Sequence, residues 1–227
     1  MMLTLANPKT LKGIKSGWVT GILMLAPGKV SGKEVCPART AACFKHCLFL
    51  QGRGRIKAVR SARIRKTRLF FEDREKFANL LNRDITRIVK LAKKQEMRAA
   101  IRLNGLSDLD WVKLLPGLFE KWSDVQFYDY TKVFPRMKDF LASKLPANYH
   151  LTFSWSGTNV AKCWQVIEAG GNVAVPMESM SLTPFEDVEV IDGDEDDLRF
   201  EDPSPVVIRL KPKGSLIKAK TKFKVSM

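Results

Sequence analysis

Short apolar segments alternate with longer amphipathic ones along most of the chain. Seven apolar segments are predicted to be β-strands: residues 18–25, 98–103, 125–130, 150–155, 172–176, 188–191 and 206–210. The amphipathic segments predict helices at residues 41–50, 55–92 with a break near residue 66, 108–115, 135–144 and 158–169. Strands that alternate with helices are typical of an α/β fold, in which crossover helices connect parallel strands.

Polar residues directly follow several of these strands, as in Arg102-Leu103-Asn104-Gly105 and Asp192-Gly193-Asp194-Glu195. Because α/β folds gather their sites at the carboxyl ends of strands, this pattern predicts a TIM-like parallel β/α barrel, partial or distorted. We expect residues 1–227 to form it as a single domain. An open doubly wound sheet explains the strands equally well, but Gly52 and Gly54 follow a helix rather than a strand, so the dinucleotide-binding fingerprint is missing.

Six polar side chains at or near strand ends are predicted to converge at the barrel mouth as hydrogen-bonding, acid–base and cationic groups. They are Asn104, Asp108, Asp129, Tyr130, Lys132 and Asp194. The alternative for each is a structural role in a turn or at a helix cap. The acidic run from Asp192 begins like a calcium loop, but the sixth and twelfth loop positions hold Asp197 and Pro203 instead of glycine and glutamate, so we interpret it as an acidic loop.

The composition of the 227 residues, 45% hydrophobic with a formal charge of +15, excludes a disordered chain and points to a polyanionic partner. No apolar run reaches the roughly 18 residues of a membrane-spanning helix, and no signal-peptide cleavage site follows the first lysines. We therefore expect a soluble cytoplasmic protein without a membrane partner. The sequence does not determine the oligomeric state.

Three of the four cysteines lie within twelve residues, at Cys36, Cys43 and Cys47, whereas Cys163 is remote. Because the cysteines are few and three of them are clustered, they favour metal or redox chemistry over a disulfide framework. Thr40 is a plausible helix N-cap, which puts Cys43 and Cys47 one turn apart on one face. Cys36, held extended by the following proline, can fold back over the helix start. The three thiols are therefore predicted to converge.

Soft thiolates select zinc, copper(I) or iron–sulfur clusters. Zinc needs a fourth ligand, and His46 points away from Cys47 around a helix. The unequal spacing, six and then three intervening residues, suits a [4Fe–4S] cluster better. Zinc and unligated redox cysteines remain alternatives. Cys163 is the tentative fourth ligand; if it is instead a small buried hydrophobe, one iron is open to another ligand.

A basic segment without any acidic residue follows the cysteines. Its members are Arg53, Arg55, Lys57, Arg60, Arg63, Arg65, Lys66 and Arg68. We interpret it as a phosphate-binding track for nucleic acid or another polyanion, the alternative being a solvated helix face. A basic C-terminal tail at about residues 211–227 repeats the bias.

Several motifs together resemble a known family. They are Cys-Pro-x5-Cys-x3-Cys from Cys36, Arg102-Leu103-Asn104-Gly105-x-Ser107-Asp108, Phe127-Tyr128-Asp129-Tyr130-Thr131-Lys132, Leu151-Thr152-Phe153-Ser154-x-Ser156, Asn172-Val173-Ala174-Val175 and Asp192-Gly193-Asp194-x2-Asp197-Leu198-Arg199-Phe200. Their order and spacing resemble the gene product eighty-eight family of bacteriophages over most of residues 18–215. The resemblance implies a phage origin and a location in the host cytoplasm.

In outline the chain is also similar to radical S-adenosylmethionine enzymes, whose cluster cysteines follow the first strand of a barrel. That similarity implies S-adenosylmethionine as a cosubstrate, although the cysteine spacing here departs from the Cys-x3-Cys-x2-Cys of those enzymes. The sequence thus predicts an iron–sulfur protein of two alternative kinds. One is an enzyme that acts on nucleic acid or nucleotide at the barrel mouth. The other is a non-catalytic nucleic-acid-binding module with a structural iron–sulfur or zinc site.

Overall fold

The computed structural model of the protein describes residues 1–5 and 8–226, without the side chains of residues 8–10. Its strands are β1 (Leu3–Thr4), β2 (Trp18–Leu23), β3 (Arg98–Arg102), β4 (Gln126–Thr131), β5 (Tyr149–Ser154), β6 (Val173–Pro176), β7 (Val190–Asp192) and β8 (Val207–Leu210). Its α-helices are α1 (Pro8–Gly13), α2 (Ala41–Lys45), α3 (Lys57–Glu72), α4 (Arg74–Lys94), α5 (Trp111–Leu114), α6 (Leu118–Lys121), α7 (Phe134–Leu141) and α8 (Val160–Glu168). Short 3-10 turns lie at Ile14–Ser16, Leu48–Leu50, Gly52–Arg55 and Gly214–Leu216.

All eight strands form one sheet in the order β1-β2-β3-β4-β5-β6-β8-β7. β1 pairs antiparallel with β2, and every other pair is parallel. The α/β fold and the seven predicted strands are therefore confirmed, with shifted ends. β1 was missed because a two-residue strand has too few positions to show an alternation.

The two faces of the sheet are covered differently. One face carries apolar side chains that lie side by side in register, such as Ile101 beside Phe127, and it packs under the helices. α4 supplies Ile85 and Ile88 to this layer from positions on one side of the helix. α4 approaches closely: a Cβ on Gly21 of β2 would lie 2.3 Å from Ile88 Cδ1, so a larger residue there would have to displace that side chain.

The opposite face is covered by the segment between β7 and β8, which we call the cover segment (residues 193–206). Its Leu198 and Phe200 pack on Trp18, Ala100 and Tyr128 of the first three parallel strands. The ring of Phe200 meets Trp18 edge-on with centroids 4.7 Å apart. An apolar contact layer thus covers both faces of the sheet.

Three predicted helix boundaries were wrong for local reasons. α2 ends at Lys45 rather than Leu50, and α5 begins at Trp111 because the Asp110 side chain caps it. The predicted break near Lys66 was also wrong, because Lys66 lies inside α3 and its ammonium donates to the Met2 carbonyl at 2.7 Å. The boundary between α3 and α4 lies instead at Asp73, whose carboxylate accepts from Lys76 N and caps α4. The short α1 and α6 were not predicted.

The residues of the predicted C-terminal tail that the structure describes (211–226) run back across the sheet, and we call them the C-terminal segment. Val225 N donates to Pro176 O at 2.8 Å, and the Trp155 indole donates to Lys222 O at 3.0 Å. The Lys224 ammonium is buried and donates to the Ile217 carbonyl and to Glu178. The segment is therefore held by backbone and side-chain bonds on several sides.

Sheet closure separates an open sheet from a barrel. Strands β2 to β6 follow chain order, but the pairing runs from β1 at one end to β7 at the other, and nothing in residues 1–5 and 8–226 pairs these two strands. The TIM-like barrel therefore stays a prediction. Among the described helices, none is long and apolar enough to cross a bilayer.

His150 on β5 gives the fold an expected acid sensitivity. Burial and the nearby Arg199 lower its pKa to about 4, from 6.5, and its Nε2 is buried without a hydrogen-bond partner. Because the unfolded chain binds this proton more tightly, the contribution of His150 to stability falls as the pH drops from about 6.5 towards 4. We expect this one residue to account for a loss of about 2 kcal/mol near pH 5 relative to pH 7.

The comparison is urea unfolding of the wild type and His150→Leu at about pH 7 and about pH 5. The variant keeps an apolar side chain where His150 faces the Phe140 ring. We expect it to lose about 2 kcal/mol less than the wild type on acidification. An equal loss in both proteins would contradict a neutral buried histidine.

Candidate functional site

A cavity of about 390 Å³ opens at the carboxyl ends of the parallel strands. Cys36, Cys43 and Cys47 line it from the loop and short helix that follow β2. Strand-end side chains line it from below, and the C-terminal segment lines it from another side through Lys211, Leu216 and Phe223, among others. The three neighbouring cysteines therefore share the lining of one cavity.

The local fold of the cysteine segment explains in part how these cysteines reach the cavity. Thr40 caps α2, and its hydroxyl accepts from Cys43 N at 3.1 Å, as expected. Cys47 lies past the end of the helix with an extended backbone, so the prediction that it shares a helix face with Cys43 was wrong. It reaches the cavity because the chain turns into a 3-10 turn directly afterwards.

Cys36 is held by contacts on both sides of its sulfur. Gly28 N lies 3.4 Å from Sγ and the Leu106 carbonyl lies 3.5 Å from it. Burial raises the pKa of the Cys36 thiol to about 12, and burial also raises the pKa of Cys47. Arg63 and Lys132 act against that rise at Cys47. A thiolate at either position therefore needs a metal or a cation close to it.

The side chains around the cavity determine which kind of metal centre could form there. Within the part of the chain that the structure describes, no three His, Cys, Asp or Glu side chains are arranged to hold a metal ion. His46, the neighbour considered for zinc, instead shares a hydrogen bond of 2.8 Å with the Ser215 hydroxyl. Thiols are the soft donors that zinc and iron–sulfur clusters both take.

Cys163 is placed elsewhere. It lies on the buried side of α8 in the apolar layer between helices and sheet, with Val166 and Ile167. It does not line the cavity, and burial raises the pKa of its thiol to about 12. The structure therefore separates Cys163 from the other three cysteines and gives it the environment of a small buried hydrophobe.

Asn104 and Asp129 form a buried network beneath the cavity. The Asn104 side chain donates to Asp129 Oδ2 at 3.2 Å, and its backbone N–H donates to Oδ1. Tyr149 also donates to the Asp129 carboxylate, at 3.0 Å. Burial raises the pKa of Asp129 to about 7. Asn104 lines the cavity, whereas Asp129 belongs to the helix-facing side of β4, so the two predicted mouth residues meet below the mouth.

Asp108 and Lys132 lie together at the cavity wall. The Asp108 carboxylate accepts from the Lys132 backbone N–H at 2.8 Å and pairs with Arg136 at 2.9 Å. Asp108 therefore orders the turn after β4, and this leaves the Lys132 ammonium available to the cavity. Among the described residues that ammonium has no carboxylate partner, and it lies 5.8 Å from the Phe223 ring centre.

Tyr130 and Asp194, the remaining predicted mouth residues, also line the cavity. The Arg102 guanidinium lies over the Tyr130 ring at 4.5 Å, and the Tyr130 hydroxyl is buried without a partner. Asp194 accepts from Lys211 N at 2.7 Å and pairs with the Lys213 ammonium at 2.6 Å. Asp194 thereby ties the loop after β7 to the C-terminal segment.

The predicted basic segment divides into two groups. Six side chains are exposed and have no carboxylate partner in the described structure: Arg53, Arg55, Lys57, Arg60, Arg65 and Arg68. Lys66 is partly buried, and Arg63 lies against the Phe49 ring and lines the cavity. The cavity residue Arg63 has a buried, unpartnered Nη1.

Sequence reasoning missed Arg102 and the C-terminal segment as parts of this cavity. Arg102 stands two positions before Asn104 on β3, so strand alternation could have placed both on the approach to the mouth. The C-terminal segment has no comparable signal, because short turns and backbone bonds hold it.

Fold and cavity together define the class: an α/β protein with one mostly parallel sheet and a cysteine-lined cavity at the carboxyl ends of its strands. A family profile described as Gene product 88 matches residues 1–225. The chain belongs to this family of bacteriophage proteins. Neither the curated proteins nor the solved structures include a match to it.

Proposed function

We propose that the protein is an iron–sulfur protein whose cluster, a [4Fe–4S] centre, is held by Cys36, Cys43 and Cys47. The observation that carries this proposal is the presence of all three thiols on one cavity with the strand-end polar groups. Arg63 and Lys132, the two cavity cations without a carboxylate partner in the described residues, supply positive charge against the thiolates. The reducing host cytoplasm keeps such thiols available.

We further propose that the protein is an enzyme that acts on nucleic acid or a nucleotide at this cavity. The chain order of β2 to β6, with helices on one face, supports a partial barrel whose mouth is the cavity. The position of Cys163 in the core supports a cluster with only three protein thiolates and one open iron. An iron–sulfur cluster supplies one-electron chemistry there. S-adenosylmethionine is the candidate cosubstrate for an open iron. The cavity cations favour a phosphate-bearing substrate.

Protein purified without oxygen is expected to be brown and to contain iron and acid-labile sulfide. Cys36→Ser, Cys43→Ser and Cys47→Ser should each lose most of both, because each removes one of three thiolate ligands. Cys163→Ala is the matched control and should keep the full content. Iron and sulfide analysis with absorbance and EPR spectra measures this. Colourless protein with stoichiometric zinc would overturn the proposal, and loss of iron in Cys163→Ala would overturn the open site.

A non-catalytic nucleic-acid-binding module with a structural iron–sulfur or zinc site is the second candidate. The six exposed basic residues from Arg53 to Arg68 that lack a carboxylate partner within the described residues favour it, since they need no open iron to bind phosphates. Nucleic-acid binding that survives removal of the cluster, without any reaction of the bound strand, would distinguish this module from the enzyme.

A further inference from the structure

The positive charge of the protein is concentrated in two segments. Residues 35–71 and 203–227 contain 17 of the 39 Lys and Arg residues and none of the 24 Asp and Glu residues. The rest of the chain is almost balanced, with 22 basic against 24 acidic residues. The net charge of +15 therefore comes from these two segments, which lie far apart in sequence.

The fold brings these two segments into contact beside the cavity. The Ser215 hydroxyl accepts from Gln51 Nε2 at 2.9 Å and shares its second hydrogen bond with His46. A Cβ on Gly214, whose φ is +58°, would lie 2.6 Å from Gln51 Oε1. The turn Gly52–Arg55 begins directly after Gln51, so the first arginines of the basic segment start at this contact.

Exposed cations without carboxylate partners lie on both sides of that contact, as far as the described residues show. On one side they are Arg53, Arg55, Lys57 and Arg60, and on the other they are Lys218, Lys220 and Lys222. Lys211 and Lys213 line the cavity between them but are paired with Asp192 and Asp194. Unpaired exposed cations repel one another, so a ligand with evenly spaced negative charges gains most from such a surface.

Aromatic rings complete the set of groups. Phe44 lies between two of the cysteines and Phe223 lies in the C-terminal segment, and both line the cavity. Proteins that bind single-stranded nucleic acid combine a basic groove for the backbone with aromatic rings on which bases stack. A cavity of about 390 Å³ also lies in the range that holds one small ligand.

We propose that the cavity mouth binds a single-stranded polynucleotide whose phosphates lie against both basic segments while one nucleotide enters the cavity between Phe44 and Phe223. A single strand is favoured over a duplex, because a base inside a stack cannot reach a cavity without being extruded. The proposal rests on the proposed function only in placing the iron–sulfur cluster in the same cavity as the bound nucleotide. It adds a substrate class and assigns the C-terminal segment a binding role.

The test measures binding of fluorescent 12-nucleotide single-stranded DNA, the RNA of the same sequence, the DNA duplex and a mononucleotide. The wild type is compared with Lys218→Glu/Lys220→Glu and with Arg53→Glu/Lys57→Glu. The matched control is Lys90→Glu/Lys94→Glu, which makes the same charge change on the exposed side of α4, in the half of the helix that leads to the opposite end of the strands. Each protein is assayed at several salt concentrations with its iron content known.

We expect both single strands to bind more tightly than the duplex and the mononucleotide. Each of the two mouth variants should bind the single strand roughly tenfold more weakly and should flatten the log–log salt slope by about 1.4, or about 0.7 for each lost phosphate contact. The control should match the wild type. The DNA and RNA arms show which strand is preferred.

Wild-type affinity in Lys218→Glu/Lys220→Glu, or duplex binding as tight as single-strand binding, would overturn the proposal. These outcomes are independent of the iron–sulfur proposal. If a variant loses binding at unchanged iron content, the loss is due to the basic segments alone. If the protein lacks iron, the same variants still show whether both basic segments bind the strand.

Discussion

Replacing Asn104 with alanine is expected to destabilise the protein by about 4 kcal/mol. Its side-chain oxygen accepts from Ser107 Oγ at 2.8 Å, Leu109 N at 2.9 Å and Trp111 Nε1 at 3.0 Å. Its amide nitrogen donates to the Leu109 carbonyl at 3.0 Å and to Asp129. Alanine leaves the partners on Ser107, Leu109 and Trp111 buried and unpaired at once, and each such group costs about 1–3 kcal/mol in isolation. Asp129 keeps its bonds from Tyr149 and from the backbone N–H of residue 104.

Urea unfolding at constant pH measures this loss, and an unchanged slope shows that the unfolded state is comparable. Ser107→Ala is the matched control, because the Ser107 hydroxyl contributes a single bond to the same oxygen; it should cost about 1 kcal/mol. If Asn104→Ala costs no more than Ser107→Ala, then the network does not stabilise the cavity floor.

The strands were predictable because burial on both faces leaves a direct trace in the sequence. Residues 99–101 and 206–208 are uninterrupted apolar runs, and β3 and β8 lie there. The order of strands with intervening helices then gave the α/β fold. The cover segment gave no comparable signal, since Leu198 and Phe200 stand among charged residues and find their apolar surface only in the folded sheet.

Which strand-end residues face the cavity could not be deduced from composition. Asp129 and Tyr130 are neighbours in sequence, yet strand alternation sends them to opposite faces of the sheet. Asp129 therefore joins the buried network with Tyr149, while Tyr130 lines the cavity. A polar residue near a strand end predicts a location within the fold; its role depends on which partners the neighbouring strands bring.

The cysteine site was predictable to a larger extent, because three soft donors within twelve residues are constrained by the chain itself to lie close together. The helix geometry behind that prediction was wrong at Cys47, yet Cys47 still lines the same cavity as Cys36 and Cys43. Cys163 shows the converse. A thiol on a helix more than 100 residues away has no such constraint, and core packing decides its place.

Asp197→Ala is expected to cost about 3–5 kcal/mol, because it leaves a buried arginine without its counter-charge. The Asp197 carboxylate is 1% exposed and accepts from Arg102 Nη1 at 3.0 and 3.2 Å and from the Tyr128 hydroxyl at 3.2 Å. Burial alone lowers the pKa of Arg102, but Asp197 together with Tyr130, Tyr128 and Asp129 more than offsets this and raises it above the usual range. The pair joins the cover segment to β3 directly beneath the cavity.

A double-mutant cycle separates the pair from the loss of either charge. Arg102→Met with Asp197→Leu replaces both charges by apolar side chains, and we expect it to recover most of the stability lost in Asp197→Ala, since an apolar pair leaves no uncompensated buried charge. Urea unfolding of the wild type, both single variants and the double variant gives the coupling energy. If the double variant is as unstable as the sum of the single losses, then the two side chains act independently, and the cover segment is held by its apolar contacts with Trp18 and Tyr128 instead.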